Sequence, residues 1–528
     1  MKKIFFILTI AAAMIAASCE NSDFDGSYSD PSKVAVSTVE KQFTGFLVSN
    51  RDYVLPSYWN YFVVLRTTLT HYTQAVGWIN SPNQYIPGAA GVSDRWADYY
   101  KFLAQYRELE KIYSSLSAAE QSDRRIYMIT ASIYLYDHTQ KVIDLHGDIP
   151  FLEAGKLSAN NGDYQNSMAK YDTAEALYTK MLDDLKSFSD ELNTIAVKDG
   201  IKAGFNTQDI VNKGDLGLWK KYCNSLRLRM LTRASGAATF QARANTEIGA
   251  ILTNSANYPV VANNADNIQI NVFNLDSPLN SKGFRDGLES EGWNANIAGK
   301  AMIDHMNTNN DPRLKAIFEP GANAAGVYKG LDPMALSADQ TTLIAGGTIA
   351  IYNRSTLSRN QFFPGVLINA ADVSFLISEY YLKSGNNGAA KAAYETGIKQ
   401  STEYYAKLRT SSNDNTAGAY TIPTDLQIQA YISGINVNWD LAITSNDKLK
   451  LIANQKWIHY SLVEPVESWS EIRRLNLPQL SFQTDTNPQS QPPVRWNYPT
   501  SESVYNTVNY NTVKSKDNLT TKLFWDVN

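Results

Sequence analysis

Cysteine is almost missing from this sequence: Cys19 and Cys223 are the only two among 528 residues. Small exported proteins that rely on disulfides carry many cysteines, so this chain must obtain its stability from buried apolar surface instead. Clustered lysine and arginine are missing as well, and the formal net charge is −4. We therefore predict no nucleic-acid partner, because such a partner requires a basic face.

Motifs of catalysis and of metal binding are lacking too. The five histidines form no HExxH or comparable spacing, and no GxSxG motif occurs. The stretch GWNANIAGKA looks like a phosphate-binding loop, but six residues rather than four separate Gly292 from Gly299, and Ala301 replaces the required Ser or Thr. The carboxylate pair of a glycoside hydrolase stays open as an alternative, since its two acids need not be close in sequence. We predict no enzyme, no catalytic residue, no cofactor and no metal.

The N-terminus has the pattern of an export signal. Two lysines precede an apolar run over residues 4–17, and small residues come directly before Cys19. The run is too short to cross about 30 Å of hydrocarbon, so it predicts a signal peptide over residues 1–18. The small-small-Cys end resembles the lipobox of bacterial lipoproteins, in which the cysteine is lipidated, although Ala16 stands where leucine is usual. An ordinary signal peptide with a chance cysteine is the alternative, and residues 19–36 are predicted to form a lipidated tether.

The remaining chain shows mainly helical periodicity. Apolar residues recur at steps of three and four, which predicts amphipathic helices. Asp215 is predicted to cap one of them, and Gly385 to end another. A very short turn follows Gly385, so the helices on either side must be antiparallel, as in one tetratricopeptide unit. The predicted helices cover residues 121–145, 167–188, 215–235, 370–385, 386–408 and 447–464, and irregular structure is predicted for 254–296, 320–370 and 478–528.

Aromatic residues are plentiful, with 31 Tyr, 19 Phe and 10 Trp. Together with abundant asparagine they suit a surface that stacks on, and hydrogen-bonds to, polar uncharged ligands. The alternative is that they fill helix interfaces. Trp96, Trp219 and Trp457 follow this second pattern, because each lies on a predicted buried helix face.

Six segments, in order along the chain, carry a resemblance to the SusD/RagB family of nutrient-binding outer-membrane lipoproteins, in particular to its starch-binding, outer-membrane-associating branch. Behind a lipobox, this order makes the resemblance specific. The segments are LHGDIPF (145–151), DIVNKGDLGLWKKYCNSLRLRMLTR (209–233), NNDPRL (309–314), ADVSFLISEYYLKSG (371–385), QKWIHYSLVEPVESWSEIRRLNLPQL (455–480) and VRWNYPTSESVYNTVNYN (494–511).

The resemblance implies a mostly α fold: a scaffold of tetratricopeptide-like helix pairs with an irregular, loop-rich region packed on one side. It implies a single domain over residues 37–528. The helical scaffold would cover about 40–250 and 370–465, and the loop-rich ligand side about 254–370 and 478–528.

The resemblance also implies a function. The protein would sit on the outer membrane through its lipid anchor, facing the cell exterior. It would capture an oligosaccharide and pass it to a SusC-like TonB-dependent transporter. The alternatives are a peptide-binding member of the same family, a glycoside hydrolase, or a helical adaptor without a small ligand.

Family ligands bind through loops between the scaffold and the irregular region, and two loops here have a suitable composition. Trp78 and Trp293 are predicted to be stacking platforms for a sugar ring. The alternative is that either tryptophan packs under its own loop. The predicted binding residues are Trp78, Asn80, Asn83 and Tyr85 in the loop 71–88, and Arg285, Trp293, Asn294 and Asn296 in the loop 281–299.

Overall fold

The computed structural model describes residues 37–290 and 292–528. The predicted signal peptide, Cys19 and the predicted tether lie outside these residues. The described chain is mostly helical, which confirms the predicted fold class. The domain boundaries stay predictions.

The first half of the chain is built almost entirely from helices. Its longest members, α4 and α5, are consecutive and joined by three residues. In order, the helices are α1 (Val39–Ser49), α2 (Arg51–Val54), a π-helix (Trp59–Leu65), α3 (Leu69–Tyr72), α4 (Ala89–Ser114), α5 (Ala118–His146), α6 (Ala174–Leu192), α7 (Asp199–Gln208), α8 (Leu216–Ala234) and α9 (Ala238–Thr253).

The second half alternates short helices with loops before long helices return. The helices are α10 (Gly283–Glu289), α11 (Lys300–Thr308), α12 (Leu314–Ile317), α13 (Ser337–Ala345), α14 (Ala370–Lys383), α15 (Asn387–Thr410), α16 (Asp425–Ile432), α17 (Ser445–Tyr460), α18 (Pro465–Leu475), α19 (Thr500–Tyr505) and α20 (Thr507–Tyr510). Short 3-10 helices cover Gln165–Ser167, Asn264–Asp266, Trp439–Leu441 and Lys514–Lys516.

Strands are few and short. Among the described residues they form two-stranded antiparallel sheets that fasten loops to the scaffold. The pairs are β1 (Ile149–Pro150) with β2 (Tyr171–Asp172), β3 (Ile268–Ile270) with β6 (Gly365–Ile368), and β4 (Phe318–Glu319) with β5 (Ile351–Tyr352).

Capping explains where several helices begin. At the start of α5, the Ser117 hydroxyl accepts from the Glu120 backbone N–H, and the Glu120 carboxylate accepts from the Ser117 N–H. This reciprocal arrangement satisfies two backbone donors that would otherwise lack partners. Asp215 caps α8 as predicted, since its carboxylate accepts from the Leu218 N–H at 3.1 Å.

The predicted antiparallel pair is confirmed as α14 and α15. Gly385 ends the first helix in the left-handed conformation (φ 82°), and Asn386 caps the second through the Ala389 N–H. Buried apolar residues such as Phe375 and Tyr394 lie between the two helices and the following α16. The pair is therefore one unit of the helical scaffold.

The core consists mainly of two large clusters of buried apolar residues. One lies among α1 and α4 to α9, and includes Trp96 and Trp219. The other lies among the π-helix, α11, α17 and α18, and includes Trp457. All three tryptophans are buried, as predicted.

Charged side chains are buried where α5, α8 and α18 meet. Arg233 of α8 pairs with Asp144 of α5, with Glu467 of α18 at 2.5 Å and with Glu471 of α18 at 3.0 Å. Arg229, one helical turn earlier, pairs with Asp137 of α5. We call this set the buried ion network: Asp137, Asp144, Arg229, Arg233, Glu467 and Glu471.

Some predicted boundaries were wrong. The helix expected from residue 167 begins at Ala174, because Asp172 accepts from the Phe151 and Leu152 N–H groups and holds β2 against β1. The helix expected over 447–464 ends at Tyr460, and Pro465 starts a separate helix, α18.

All three segments predicted to be irregular contain helices. Residues 254–296 include α10, residues 320–370 include α13, and residues 478–528 include α19 and α20. The C-terminal segment also enters the core, since Trp496 and Trp525 are fully buried. Among the described residues, no helix is both long and apolar enough to span a membrane.

Candidate functional site

The two loops predicted to bind ligand meet at their bases. The Gly77 N–H donates to the Ile297 carbonyl at 2.7 Å, and Val76 and Ala298 form an antiparallel bridge. The second loop is held further by the Ala298 N–H, which donates to the Ala350 carbonyl at 2.9 Å. These contacts bring together residues more than 200 positions apart in sequence.

Close packing at this junction requires glycine. A Cβ on Gly77 would lie 2.8 Å from the Leu331 Cβ, and a Cβ on Gly299 would lie 2.2 Å from the Gln74 carbonyl oxygen. Both distances are shorter than van der Waals contact allows. The two loops can therefore approach this closely only because neither position carries a side chain.

Above the junction, both predicted stacking tryptophans contact one arginine. The Arg66 guanidinium carbon lies 4.8 Å from the ring centroid of Trp293 and 5.6 Å from that of Trp78. It also lies 4.5 Å from the ring centroid of Phe62. These distances are within the range of cation–π attraction, so Arg66 ties the three rings together.

Arg66 has no acidic partner within residues 37–290 and 292–528. It forms no ion pair and no side-chain hydrogen bond with any described residue, and its Nε is buried without a partner. Burial lowers its pKa from the ordinary value. A guanidinium has five N–H donors, so this side chain retains donors for the oxygen atoms of a ligand.

Exposed rings extend the site beyond the two predicted loops. Trp293 is 58% exposed and Trp59 is 44% exposed. Tyr58 is exposed as well, and its ring stacks on Phe62 with a centroid distance of 5.2 Å. Exposed large rings in one patch mark a binding surface, because isolated proteins seldom leave such area uncovered. We call this surface the aromatic platform, formed by Tyr58, Trp59, Phe62, Trp78 and Trp293 around Arg66.

The π-helix sets the direction of the platform rings. Its wider turn is seen at its end, where the Arg66 N–H donates to the Tyr61 carbonyl five residues earlier at 3.0 Å. Tyr61 is buried on the inner side, with its ring 4.5 Å from that of Phe284 in α10. Short π-helical segments are frequent at functional sites. Here the segment buries one face and leaves Trp59 exposed.

Sequence reasoning missed the contribution of residues 58–66. The stretch SYWNYF (57–62) is dense in aromatics and was the available signal. Helical periodicity would assign such residues to a core, and only the fold shows that Tyr58 and Trp59 face outward.

Trp78 is half-buried rather than freely exposed. Its ring stacks on His71 at 4.7 Å, and His71 also stacks on Tyr85 at 5.4 Å. Burial lowers the pKa of His71 to about 3, so this imidazole is neutral in the stack at physiological pH. Trp78 therefore contributes one edge of the platform, next to Arg66, while Trp293 contributes an open face.

The other predicted residues of the first loop differ in what their side chains contact. The Asn80 amide donates to the Pro333 and Ala335 carbonyls at 2.8 and 2.9 Å, which fastens that segment to the loop. Asn83 is exposed, in the left-handed conformation. Tyr85 is buried, and its hydroxyl donates to the Gln483 carbonyl at 2.7 Å. Their roles in binding stay predictions.

The predicted polar residues of the second loop differ in exposure and in backbone conformation. Arg285 is exposed on α10, and Asn294 takes a left-handed conformation next to Trp293. The main-chain carbonyl of Asn296 accepts from the Tyr352 N–H at 2.8 Å. The side-chain amide of Asn296 is half-buried and takes no part in that bond. Their roles in binding also stay predictions.

In the part of the chain that the structure describes, the platform shows no catalytic arrangement of acids. Glu289, at the end of α10, is held by Arg359 at 2.6 Å and by the Ser358 hydroxyl at 2.5 Å. Burial alone would raise its pKa, but these two partners lower it below the ordinary value. Among the described residues, no three or more His, Cys, Asp or Glu side chains lie together as metal ligands would.

The sequence matches a known family over most of its length. Residues 39–499 match the model of a SusD-like family described as starch-binding and associating with the outer membrane. A comparison with curated proteins finds no match.

Solved structures share the fold over nearly the whole chain. A Bacteroidetes AC2a SusD-like protein is 21% identical, with a TM-score of 0.73 over 93% of this chain and 100% of that one. A SusD homolog from Bacteroides fragilis is 19% identical, with a TM-score of 0.73 over 93% and 100%. A chitin-binding SusD homolog from Flavobacterium johnsoniae is 24% identical, with a TM-score of 0.70 over 92% and 99%. At such identities the likeness establishes the fold.

Proposed function

Because the chain belongs to the SusD-like family described as starch-binding and outer-membrane-associating, we propose that it captures neutral oligosaccharides at the bacterial surface on its aromatic platform. The observation that carries the proposal is an exposed Trp293 ring 4.8 Å from the Arg66 guanidinium, which has no carboxylate partner in the described part of the chain. A sugar needs both kinds of group. Its apolar C–H face stacks on an aromatic ring, and its hydroxyls accept hydrogen bonds.

The arrangement favours binding without chemical conversion. Rings dominate the platform, and Glu289, a nearby acid, is engaged by Arg359. Hydrolysis of a glycosidic bond requires two acids that flank the scissile bond. We therefore propose a binding protein and not a glycoside hydrolase.

The proposal includes an anchor and a partner. The sequence before Cys19 resembles a lipobox, and several acyl chains hold a protein stably at a membrane. A lipidated chain with this fold would deliver its ligand to a SusC-like TonB-dependent transporter in the same membrane. Replacement of Cys19 by alanine is expected to release the protein from the outer membrane fraction, and mass spectrometry of the native N-terminus would detect the acyl groups.

Calorimetric titration with oligosaccharides tests the binding function. Chitin and starch fragments come first, because one structural neighbour is named as chitin-binding and the family is described as starch-binding. We expect Trp293→Ala to weaken the binding of the preferred oligosaccharide about fivefold, since a stacking contact contributes about 1 kcal/mol.

A matched control exists at the far end of the molecule. Tyr164 is also an exposed ring (74%), and its loop contacts Glu108 through Ser158. Glu108 lies near the end of α4 that is remote from the platform, whereas Gly91, near the start of α4, meets Val63 of the π-helix. Tyr164→Ala should leave the affinity unchanged. Equal affinity of the Trp293→Ala and parent proteins for every bound glycan would overturn the proposal.

A further inference from the structure

A second cavity, which shares no lining residue with the aromatic platform, lies between two parts of the scaffold. It has a volume of about 760 Å³. One wall is the segment from Thr308 to Pro320, and the other runs from Arg409 to Ile435. Cavities of about 300–1,000 Å³ are typical of small-molecule sites. We call this cavity the second groove.

The floor of the second groove is rigid. Arg313 lies beneath it and pairs with Asp311 at 2.5 Å. The same guanidinium donates to the Ser401 hydroxyl at 3.0 Å, the Tyr431 hydroxyl at 3.1 Å and the Gln455 side-chain oxygen at 2.7 Å. Because these groups are buried and mutually satisfied, the floor keeps its shape and a ligand need not order it.

The unpaired charge of the second groove is positive. Its two acids have partners, Asp311 with Arg313 and Glu319 with Arg354 at 2.8 Å. Its cations, Arg409 and Lys315, form no ion pair with any described carboxylate. The protein has a net charge of −4. A cavity lined by two cations without described carboxylate partners therefore has the opposite sign of charge from the protein as a whole.

Arg409 is held so that part of its guanidinium stays free. The side chain is 6% exposed, and its Nη2 donates to the Asn415 side-chain oxygen at 2.9 Å and to the Gly418 carbonyl. Its Nε and Nη1 donate to no described residue. A buried guanidinium with free donors matches a carboxylate, which accepts two parallel N–H bonds.

Tyrosines add ring faces and a hydroxyl beside these cations. The Tyr420 hydroxyl is buried and has no hydrogen-bond partner among the described residues. Burial raises the pKa of Tyr420 to about 12, and the positive charge of nearby Arg409 opposes that rise. Tyr328 lines the same groove. Rings suit the C–H face of a sugar, while Tyr420 offers one more donor to an acidic group.

From these contacts we propose that the second groove binds an anionic saccharide, a sugar that carries a carboxylate, separately from the platform. Arg409 and Lys315 take the carboxylate, Tyr420 donates to it, and Tyr328 packs against the ring. This site stands independently of the proposed neutral-sugar function, because no residue is common to both.

Calorimetric titration of the full mature protein tests the proposal with trigalacturonate as the probe and maltotriose as its neutral counterpart. We expect binding of trigalacturonate that weakens with added salt, because exposed charges are screened. Lys315→Gln, which replaces an exposed side chain, and Tyr420→Phe, which removes only a hydroxyl, should each weaken that binding about fivefold. Arg409→Gln should weaken it by about tenfold or more.

Variants of the two sites serve as mutual controls. Trp293→Ala should leave the affinity for trigalacturonate unchanged, and Lys315→Gln should leave the affinity of the platform for its neutral oligosaccharide unchanged. The proposal fails if trigalacturonate does not bind, if maltotriose competes with it equally, or if Trp293→Ala abolishes its binding while Lys315→Gln and Tyr420→Phe retain it. Loss of neutral-sugar binding alone would overturn the platform function and leave the second groove in place.

Discussion

Two arginines in this protein lie against aromatic rings in opposite electrostatic settings. Arg233, in the buried ion network, lies 5.3 Å from the ring centroid of Trp525 and pairs with three carboxylates. Arg66, in the aromatic platform, lies near three rings and pairs with no carboxylate among the described residues. The first links α5, α8 and α18, whereas the second lies beside exposed rings.

The difference separates positions that maintain the fold from positions that are available to a ligand. A buried cation is tolerated when acids surround it, and removing such a cation leaves those acids uncompensated. A cation held only by rings keeps its hydrogen-bonding capacity. For these two arginines, compensation by acids rather than burial alone distinguishes the scaffold position from the position at the site.

The largest expected effect follows from removing Arg233. Burial alone would raise the pKa of Glu471, but Arg474, Lys456 and Arg233 hold it well below the ordinary value. Arg233→Met removes one of these cations and also leaves Asp144 without its partner, so we expect about 3–5 kcal/mol of lost stability, or failure to fold. Denaturant unfolding monitored by circular dichroism measures it.

A surface pair provides the control for Arg233. Arg125 pairs with Glu191 at 2.8 Å and is 35% exposed at its side chain. Arg125→Met should cost at most about 1 kcal/mol, because solvent screens exposed pairs. Equal losses for Arg125→Met and Arg233→Met would contradict the distinction between the two settings.

The second prediction concerns Arg66 itself. Arg66→Met keeps an apolar side chain among the rings but removes the free N–H donors. We expect about a tenfold loss of affinity for the neutral oligosaccharide, and a stability change below about 1 kcal/mol. Calorimetry and denaturant unfolding measure the two quantities separately.

Arg51→Met is the control for Arg66, since Arg51 lies on the surface and its one ion pair with a described residue is to exposed Asp52 at 3.7 Å. Arg51→Met should change neither the affinity for the oligosaccharide nor the stability of the protein. If Arg66→Met unfolds the protein while affinity per folded molecule is retained, Arg66 belongs with the scaffold.

The third prediction concerns Glu464, a scaffold acid that differs from the carboxylates of the buried ion network. Glu464 is buried, and neither carboxylate oxygen has a hydrogen-bond partner among the described residues. Burial raises its pKa well above the ordinary value; Asp372 and Glu467 add to the rise, and Lys141 and Arg229 oppose it. The folded state therefore holds a proton that the unfolded state loses near pH 4.3, so stability from this group falls as pH rises above that value.

Glu464→Gln should remove this loss. We expect the stability of the variant relative to the parent to increase as the pH rises above about 4, by about 1.4 kcal/mol for each unit by which the folded pKa exceeds the unfolded one. Denaturant unfolding across that range gives the difference. Exposed Glu153→Gln is the comparison, and a flat or falling difference for Glu464→Gln would show that the carboxylate is compensated.

The smallest expected effect concerns Tyr85, a predicted ligand residue. Tyr85→Phe removes the hydroxyl that donates to the Gln483 carbonyl. We expect a loss of about 1 kcal/mol in stability and no change in glycan affinity, because the ring lies beneath Trp78 and His71. A weakened affinity with unchanged stability would place Tyr85 among the ligand contacts.

Long helices with local capping signals were predictable from sequence. The helices α5 and α8 and the pair α14–α15 lie close to their predicted ranges, since their periodicity and their caps, such as Asp215, are local. Tyr171 was placed on a helix because it continues a helical stripe. The competing contact, Asp172 with the N–H groups of Phe151 and Leu152 directly after β1, is not local and cannot be predicted from that stripe.

The candidate site was predictable only in part. Composition identified Trp78 and Trp293, but nothing in the sequence brings either of them to Arg66. That meeting depends on the Gly77–Ile297 hydrogen bond, which joins distant segments. The outward direction of Trp59 depends on the π-helix, and no periodicity rule indicated that geometry.

The way the second loop is fastened has an evolutionary consequence. Its hydrogen bonds to Gly77, Ala350 and Tyr352 use main-chain atoms alone, so they impose no side-chain identity on its tip around Trp293. Descendants of this gene can change the residues at the tip while Gly77 and Gly299 preserve the close packing at its base. Selection for a different ligand would thus change a few codons at the tip and leave the fold unchanged.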